Sequence, residues 1–280
     1  MLYLLRKRKG VNFMKVGLQL SSLQEYLQTP DDVRKTFEKV KDMGYKYVQI
    51  QYIGDGVSTE SVKESLDKTN LICVGTQDDL YGFYESLDKI IARNLLWQAK
   101  YVCVAVFIPK DNNEIKELAI KLNTISKRLK SNGLILEIHP LYPSFAPFGA
   151  STPFDIMWKQ LDVDILLQPD FFHTHMANIN TADMLEMYNE RIIQAHLKDF
   201  NILDNRQNIV PGDNFDDLEY CIFTPVGQGI IPYKNIVNEC RGINLKFCWV
   251  EQEKWDRNAF DCMKESLEFL KTVMQQGDVS

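Results

Sequence analysis

The sequence predicts an α/β protein, a single (β/α)8 TIM barrel. Two observations carry this. Eight short apolar runs, each of five to seven residues, alternate with longer amphipathic stretches, which is the rhythm of parallel strands each followed by a helix. The later runs end in Glu, Asp and His, and a barrel gathers its strand ends at one mouth. An open doubly wound sheet is disfavoured. Its first turn would carry a Gly-rich phosphate loop, and Gly17-Leu18-Gln19-Leu20-Ser21-Ser22 has none.

The elements follow in order. Residues 15–20 (KVGLQL) form the first strand. Residues 30–43 form a helix, with Thr29 or Asp31 in its N-cap region and Gly44 at its end. Residues 45–51 are the second strand, 59–68 a helix and 71–76 the third strand. A long helix over 79–97 leads to the fourth strand at 101–107. A helix over 113–132 leads to the fifth strand at 133–138. After a loop rich in Pro and Phe, a short helix over 154–161 precedes the sixth strand at 163–167. A helix over 181–189 precedes the seventh strand at 191–196. Residues 200–228 read as one long irregular segment over the mouth, with a tight Gly227-Gln228-Gly229 turn near its end. A helix over 232–240, the eighth strand at 246–250 and a helix over 257–274 complete the barrel.

Residues 14–280 are therefore expected to form one barrel domain, and residues 1–13 an N-terminal extension. That stretch holds the basic run Arg6-Lys7-Arg8-Lys9, but its apolar part is too short to span a membrane. A net charge of −6 argues against nucleic acid, whose phosphates need a basic face. None of the six cysteines stands at Cys-x-x-Cys spacing, so a reduced cytoplasmic context is expected. Homo-oligomerisation is compatible with the sequence.

All four histidines fall between residues 139 and 196. They lie in three segments that mix imidazole with carboxylate: Glu137-Ile138-His139, Asp170-Phe171-Phe172-His173-Thr174-His175 and His196-Leu197-Lys198-Asp199. A fourth segment ends in Val250-Glu251. Taken singly, an acidic residue at a strand end is usually a cap or loop contact. At four consecutive strand ends, Glu137, Asp170, His196 and Glu251 make a divalent metal site of Mn, Mg, Co or Zn type. Lys198 either pairs with Asp199, or neutralises developing charge or holds a phosphate at the site. Phe172 and Trp255 are candidates for an apolar wall, although aromatics near a barrel mouth are more often plain packing.

The same residues resemble the sugar phosphate isomerase/epimerase superfamily with its xylose isomerase-like barrel. The likeness covers nearly all of residues 14–271. It rests on Gly44-Tyr45, Leu136-Glu137-Ile138-His139-Pro140, Asp170-Phe171-Phe172-His173, the His196-Leu197-Lys198-Asp199 motif, Pro225-Val226-Gly227-Gln228-Gly229 and Val250-Glu251-Gln252. The intervals from Glu137 to Asp170 and on to His196 resemble those of ketose 3-epimerases. The resemblance implies Glu137, Asp170, His196 and Glu251 as metal ligands and His173 as a substrate contact. The chain departs from many relatives in three places. It lacks their later Glu after strand five, where Tyr142 and Ser144 stand, and it has Gln77 and Gln228 where they have His and an acidic residue.

The chemistry implied is proton abstraction next to a carbonyl through an ene-diolate, with the metal as Lewis acid. Glu137 and Glu251 would be base and acid. His139, His173, Lys198, Gln228 and Trp255 would contact a small sugar or sugar phosphate. Two alternatives remain at this point: a keto-sugar or keto-inositol dehydratase, and a non-catalytic sugar-binding barrel with a degenerate metal site. An abasic-site nuclease of this fold would need more histidine ligands and a basic surface.

Overall fold

Each of the eight apolar runs becomes a strand in a computed structural model, which describes residues 14–202, 221–243 and 245–276. The expected extension over 1–13 lies outside the described residues. In chain order the strands are β1 (Lys15–Gln19), β2 (Tyr47–Ile50), β3 (Ile72–Asp79), β4 (Tyr101–Val106), β5 (Ile135–Pro140), β6 (Leu166–Leu167), β7 (Gln194–Leu197), β8 (Asp199–Ile202), β9 (Cys221–Thr224) and β10 (Phe247–Val250). Eight of them form one sheet in the order β6-β5-β4-β3-β2-β1-β10-β7, with every pairing parallel. Isolated parallel bridges, Leu167 to Ile192 and Asp170 to His196, bring the two edges together and nearly close the barrel.

The intervening helices start where side chains can cap them. Helix α1 (Pro30–Asp42) opens on a capping box between Thr29 and Asp32, with Pro30 in its first turn. Helices α2 (Thr59–Thr69), α3 (Leu80–Trp97) and α4 (Asn112–Ser131) are capped by Ser58, Asp79 and Asp111. Helices α5 (Pro153–Trp158), α6 (Phe171–Met176) and α7 (Thr181–Tyr188) are capped by Thr152, Asp170 and Asn180. Helices α8 (Tyr233–Cys240) and α9 (Ala259–Gln276) complete the outer ring. Their buried apolar faces pack on the sheet in one continuous core that includes Phe37, Val40, Leu122 and Leu270.

Three features differ from the sequence reading. Residues Leu20–Tyr26 form a 3-10 turn directly after β1. The segment after β6 is helix α6 rather than loop, because the Asp170 carboxylate accepts from the N–H groups of Phe172 and His173 and starts it. The segment expected to be irregular over 200–228 contains the antiparallel hairpin β8–β9, with Phe200 opposite Phe223. Its middle lies outside the described residues.

Inside the barrel, alternation along each strand stacks the inward side chains in layers. The floor is apolar: Trp249 packs with Val74 and Tyr101, flanked by Tyr47, Ile135, Leu166 and Phe247. Gly17 is required here, since a Cβ would collide with the Trp249 ring. Above the floor lies a layer of amides and one carboxyl, and above that the mouth.

Candidate functional site

The middle layer is a directed chain of hydrogen bonds. The Gln19 amide donates to Gln49 (3.2 Å) and Gln77 (3.3 Å), and Gln49 donates to Gln168 (3.0 Å). Gln168 and Gln194 then both donate to Glu137 Oε2, at 3.1 and 2.7 Å. Glu137 is fully buried, and its Oε1 has no hydrogen-bond partner. Burial pushes this carboxyl well above the usual range, and the Gln194 hydrogen bond offsets the shift only in part. Burial therefore favours the protonated form of Glu137, which lies beneath the mouth.

The residue of β5 that reaches the mouth is His139, two positions further along the strand. His139, Asp170 and His196 offer ligand atoms that all lie within 4.8 Å of one another, and all three side chains are buried. They come from β5, the α6 N-cap and β7, brought together by the parallel register and by the bridge from Asp170 to His196. His139 Nδ1 faces the Gln168 carbonyl at 3.3 Å, the kind of contact that fixes a metal-binding imidazole's tautomer. Burial holds the His139 ring well below its ordinary range, as does the neighbouring His196, so it is neutral. Asp170 Oδ2 is buried and receives no hydrogen bond of good geometry. Two imidazoles and a carboxylate whose Oδ2 meets only the Lys198 ammonium, at 3.2 Å, fit a transition-type divalent cation. Of the four expected ligands, Asp170 and His196 belong to this cluster, whereas Glu137 and Glu251 do not.

Glu251 stands beside the cluster. One oxygen accepts from the Ser21 hydroxyl at 2.8 Å, and the other lies 2.6 Å from His196 Nδ1. The second nitrogen of His196 faces Gln49 Oε1 at 2.7 Å. Burial alone would push the Glu251 carboxyl up, but Lys198 and His196 beside it outweigh that and hold it well below the usual range. Glu251 is an ionised carboxylate on the wall of the mouth.

Lys198 is only 3% exposed. Its ammonium lies 3.2 Å from Asp170, 3.3 Å from Glu251 and 2.7 Å from Glu253. Burial opposes its charge, but the three carboxylates prevail and raise its pKa well above the ordinary value. It does not pair with Asp199, its other expected partner. The Asp199 carboxylate instead accepts from the backbone N–H groups of Phe200, Gly227, Gly229 and Ile231. The His-Leu-Lys-Asp motif and the Gly-Gln-Gly turn are thus one unit, in which Lys198 serves the mouth and Asp199 anchors the turn. A Cβ at Gly229 would collide with that carboxylate.

The mouth opens on a cavity of about 460 Å³, lined by Ser21, Gln51, Tyr52, Gln77, His139, His173, Lys198, Glu251 and Glu253, among others. Volumes of this order hold small ligands. His173 is buried with its Nδ1 unpartnered, and its ring stacks on Tyr142 with centroids 5.9 Å apart. Burial and nearby Lys198 hold it neutral. His175, by contrast, is exposed. Gln228 is exposed and donates to Glu265 at 2.7 Å, and half-buried Trp255 packs against the core; neither is among the residues lining the cavity. Phe172 lies in a cluster with Phe200 and Phe223. Sequence reasoning missed the inward amides Gln19, Gln49, Gln168 and Gln194. It also missed Ser21, Gln51, Tyr52 and Glu253 at the mouth. The available cue was that the run YVQIQ carries Gln49 and Gln51 at alternate positions, facing one way, and that the run KVGLQL carries Gln19.

Among the described residues, no helix is long and apolar enough to cross a membrane. The sequence matches the model of a family described as xylose isomerase-like TIM barrel over residues 37–273. No curated protein matches it significantly. Among solved structures, it is similar to a sugar phosphate isomerase/epimerase from Parabacteroides distasonis, with 19% identity, a TM-score of 0.72, and 91% of this chain and 97% of that one covered. It is also similar to a probable 3-DHS dehydratase from Bacillus anthracis, with 16% identity, a TM-score of 0.69 and coverage of 92% and 99%. A third likeness is to L-ribulose 3-epimerase, with 13% identity, a TM-score of 0.70 and coverage of 95% and 97%. Similar structures also include one with a zinc atom and one with magnesium.

Proposed function

This chain belongs to the xylose isomerase-like TIM barrel family, and from that premise we propose that it is a divalent-metal-dependent isomerase of a sugar or sugar phosphate. The observation that carries the reading is the His139, Asp170 and His196 cluster at the barrel mouth, with ionised Glu251 beside it. A bound divalent cation would supply Lewis-acid polarisation of the substrate carbonyl. The protein's own groups do the rest.

Glu251 removes a proton from the carbon next to the carbonyl. Ser21 and His196 fix the orientation of its carboxylate, and Lys198 keeps it ionised within the closed wall. Neutral His139 and His173 orient hydroxyls, the former also serving as a metal ligand. Gln51 and Gln77, on the opposite strands, offer donors and acceptors that do not compete for the proton. Glu137, buried and neutral in the layer below, is not positioned as the second carboxylate. This favours a single base that carries the proton between adjacent carbons over inversion by two carboxylates.

The test combines two measurements. Metal analysis of the purified protein should find a bound Mn, Co, Zn or Mg ion, or else thermal stabilisation on adding one. Solvent deuterium should then enter the carbon next to the carbonyl of a ketose, and Glu251→Gln should stop it. Absence of both metal binding and exchange would sink the reading. Exchange accompanied by loss of water would assign the chain to dehydration instead.

A further inference from the structure

A second cavity lies against the first. It measures about 430 Å³ and shares Gln51, Tyr52 and Gln77 with the mouth. Its far wall is one face of α3, where Ser86, Lys89, Ile90 and Arg93 recur at helical spacing. The helix makes room for it: the backbone breaks at Ser86 (φ −141°, ψ 26°), which sets the first turn apart from the rest. Between the two cavities stands Tyr52. Its φ of +58° is a conformation that side chains other than glycine rarely adopt, and its ring is 58% exposed. An aromatic held outward on a strained backbone is costly unless something covers it.

The charges of the second cavity identify the kind of group it suits. It is lined by two acidic residues, Asp55 and Asp78, and two basic ones, Lys89 and Arg93. Arg93 is committed: it donates to Asp78 at 2.5 Å and lies over the Trp97 ring at 5.4 Å. Lys89, on the same face of the helix, is the cation that can donate to a hydroxyl. A phosphate dianion would find no net positive charge here, and the lining of the first cavity sets Lys198 and Lys254 against Glu251 and Glu253, with Lys198 engaged by three carboxylates. A hydroxylated neutral ring would find carboxylate and amide acceptors, the Lys89 ammonium as a donor and the Tyr52 aromatic face.

We propose that this second cavity holds a neutral glycosyl unit, so that the substrate is an extended saccharide lying across Tyr52 with its reacting end at Glu251. The inference rests on the sugar isomerase reading and narrows it to a neutral substrate larger than one ring. It is tested by isothermal titration of the Mn-loaded protein with fructose, fructose 6-phosphate and two ketose disaccharides of different linkage, lactulose and isomaltulose. At least one disaccharide should bind about 10-fold tighter than fructose and tighter than fructose 6-phosphate. Ser86→Trp fills the second cavity and should remove that advantage while leaving fructose affinity unchanged. Should Ser86→Trp fail to fold, Asp55→Ala, at an exposed residue of the same cavity, should reduce the advantage. Tightest binding of fructose 6-phosphate, or no advantage for either disaccharide, overturns the inference alone. Persistence of the advantage in the folded variants does so too. Failure of the Mn-loaded protein to bind any of the four sugars overturns the isomerase reading along with it.

Discussion

Strands β5, β7 and β10 with their following residues, and the N-cap of α6, bring His139, His196, Lys198, Glu251 and Asp170 to the mouth, whereas β3 and the residue after β2 bring Gln77 and Gln51, with Gln19 and Gln49 in the layer beneath. One wall is imidazole and charge; the other is amide. The contrast separates two tasks. On the proposed reading the charged wall would hold an ion and move protons, and its groups compensate one another closely enough to remain buried. The amide wall offers both donors and acceptors at no cost in charge, which suits the hydroxyls of a sugar. The amides also reach beneath the mouth, where Gln168 and Gln194 donate to one oxygen of Glu137.

Substitutions on the two walls should therefore differ in size and in kind. The largest effect is expected for Glu251→Gln, with deuterium exchange falling about 10³-fold and the fold unchanged by circular dichroism. His139→Ala should weaken Mn affinity by more than the roughly 100-fold that loss of an outer-shell partner costs. Calorimetry should show no such loss for Glu137→Gln; equal losses in the two would make Glu137 a ligand after all. Lys198→Met leaves three carboxylates facing one another, so the metal-free protein should lose about 2 kcal/mol in urea unfolding, less than for a sealed pair because the cavity admits water. The same change should tighten Mn binding.

Glu137→Gln should act on stability rather than on the site. A carboxyl whose pKa is raised by folding contributes stability below the ordinary carboxylate range, and that contribution is lost as pH climbs toward the raised value. The variant should therefore be more stable than the parent at pH 8 and little different at pH 4, read from urea midpoints at both. Smallest of all, Gln77→Ala on the amide wall should raise KM a few-fold and leave kcat nearly unchanged. A fall in kcat as large as that of Glu251→Gln would erase the distinction between the walls.

The barrel was legible because its strands are buried on both faces and so read as continuous apolar runs; even the two-residue β6 sits within its predicted run. Asp170 and His196 were legible because they end such runs. The choice between Glu137 and His139 was not. Both face inward, and the fifth strand, expected over 133–138, runs from Ile135 to Pro140. A two-residue shift at a strand end is one full layer of a barrel, enough to move a carboxyl from the mouth to the interior. Helix α6 went unseen because six residues rich in aromatics and histidine carry no helical period; only Asp170 as its cap hinted at it. The hairpin was hidden by its four-residue strands, and Gln228 and Trp255 by a motif that fixes the backbone turn without fixing where its side chains point.

Trp249 lies on Gly17 at the barrel floor and donates its indole N–H to Gln194 at 2.8 Å, the same amide that donates to Glu137. The chain thus carries an optical reporter two hydrogen bonds away from its buried acid, through Gln194. A change in the charge of Glu137 alters the field across a dry, rigid indole, and a shift in tryptophan emission follows. The interior can therefore be read by fluorescence in the unlabelled protein, before any substrate is known.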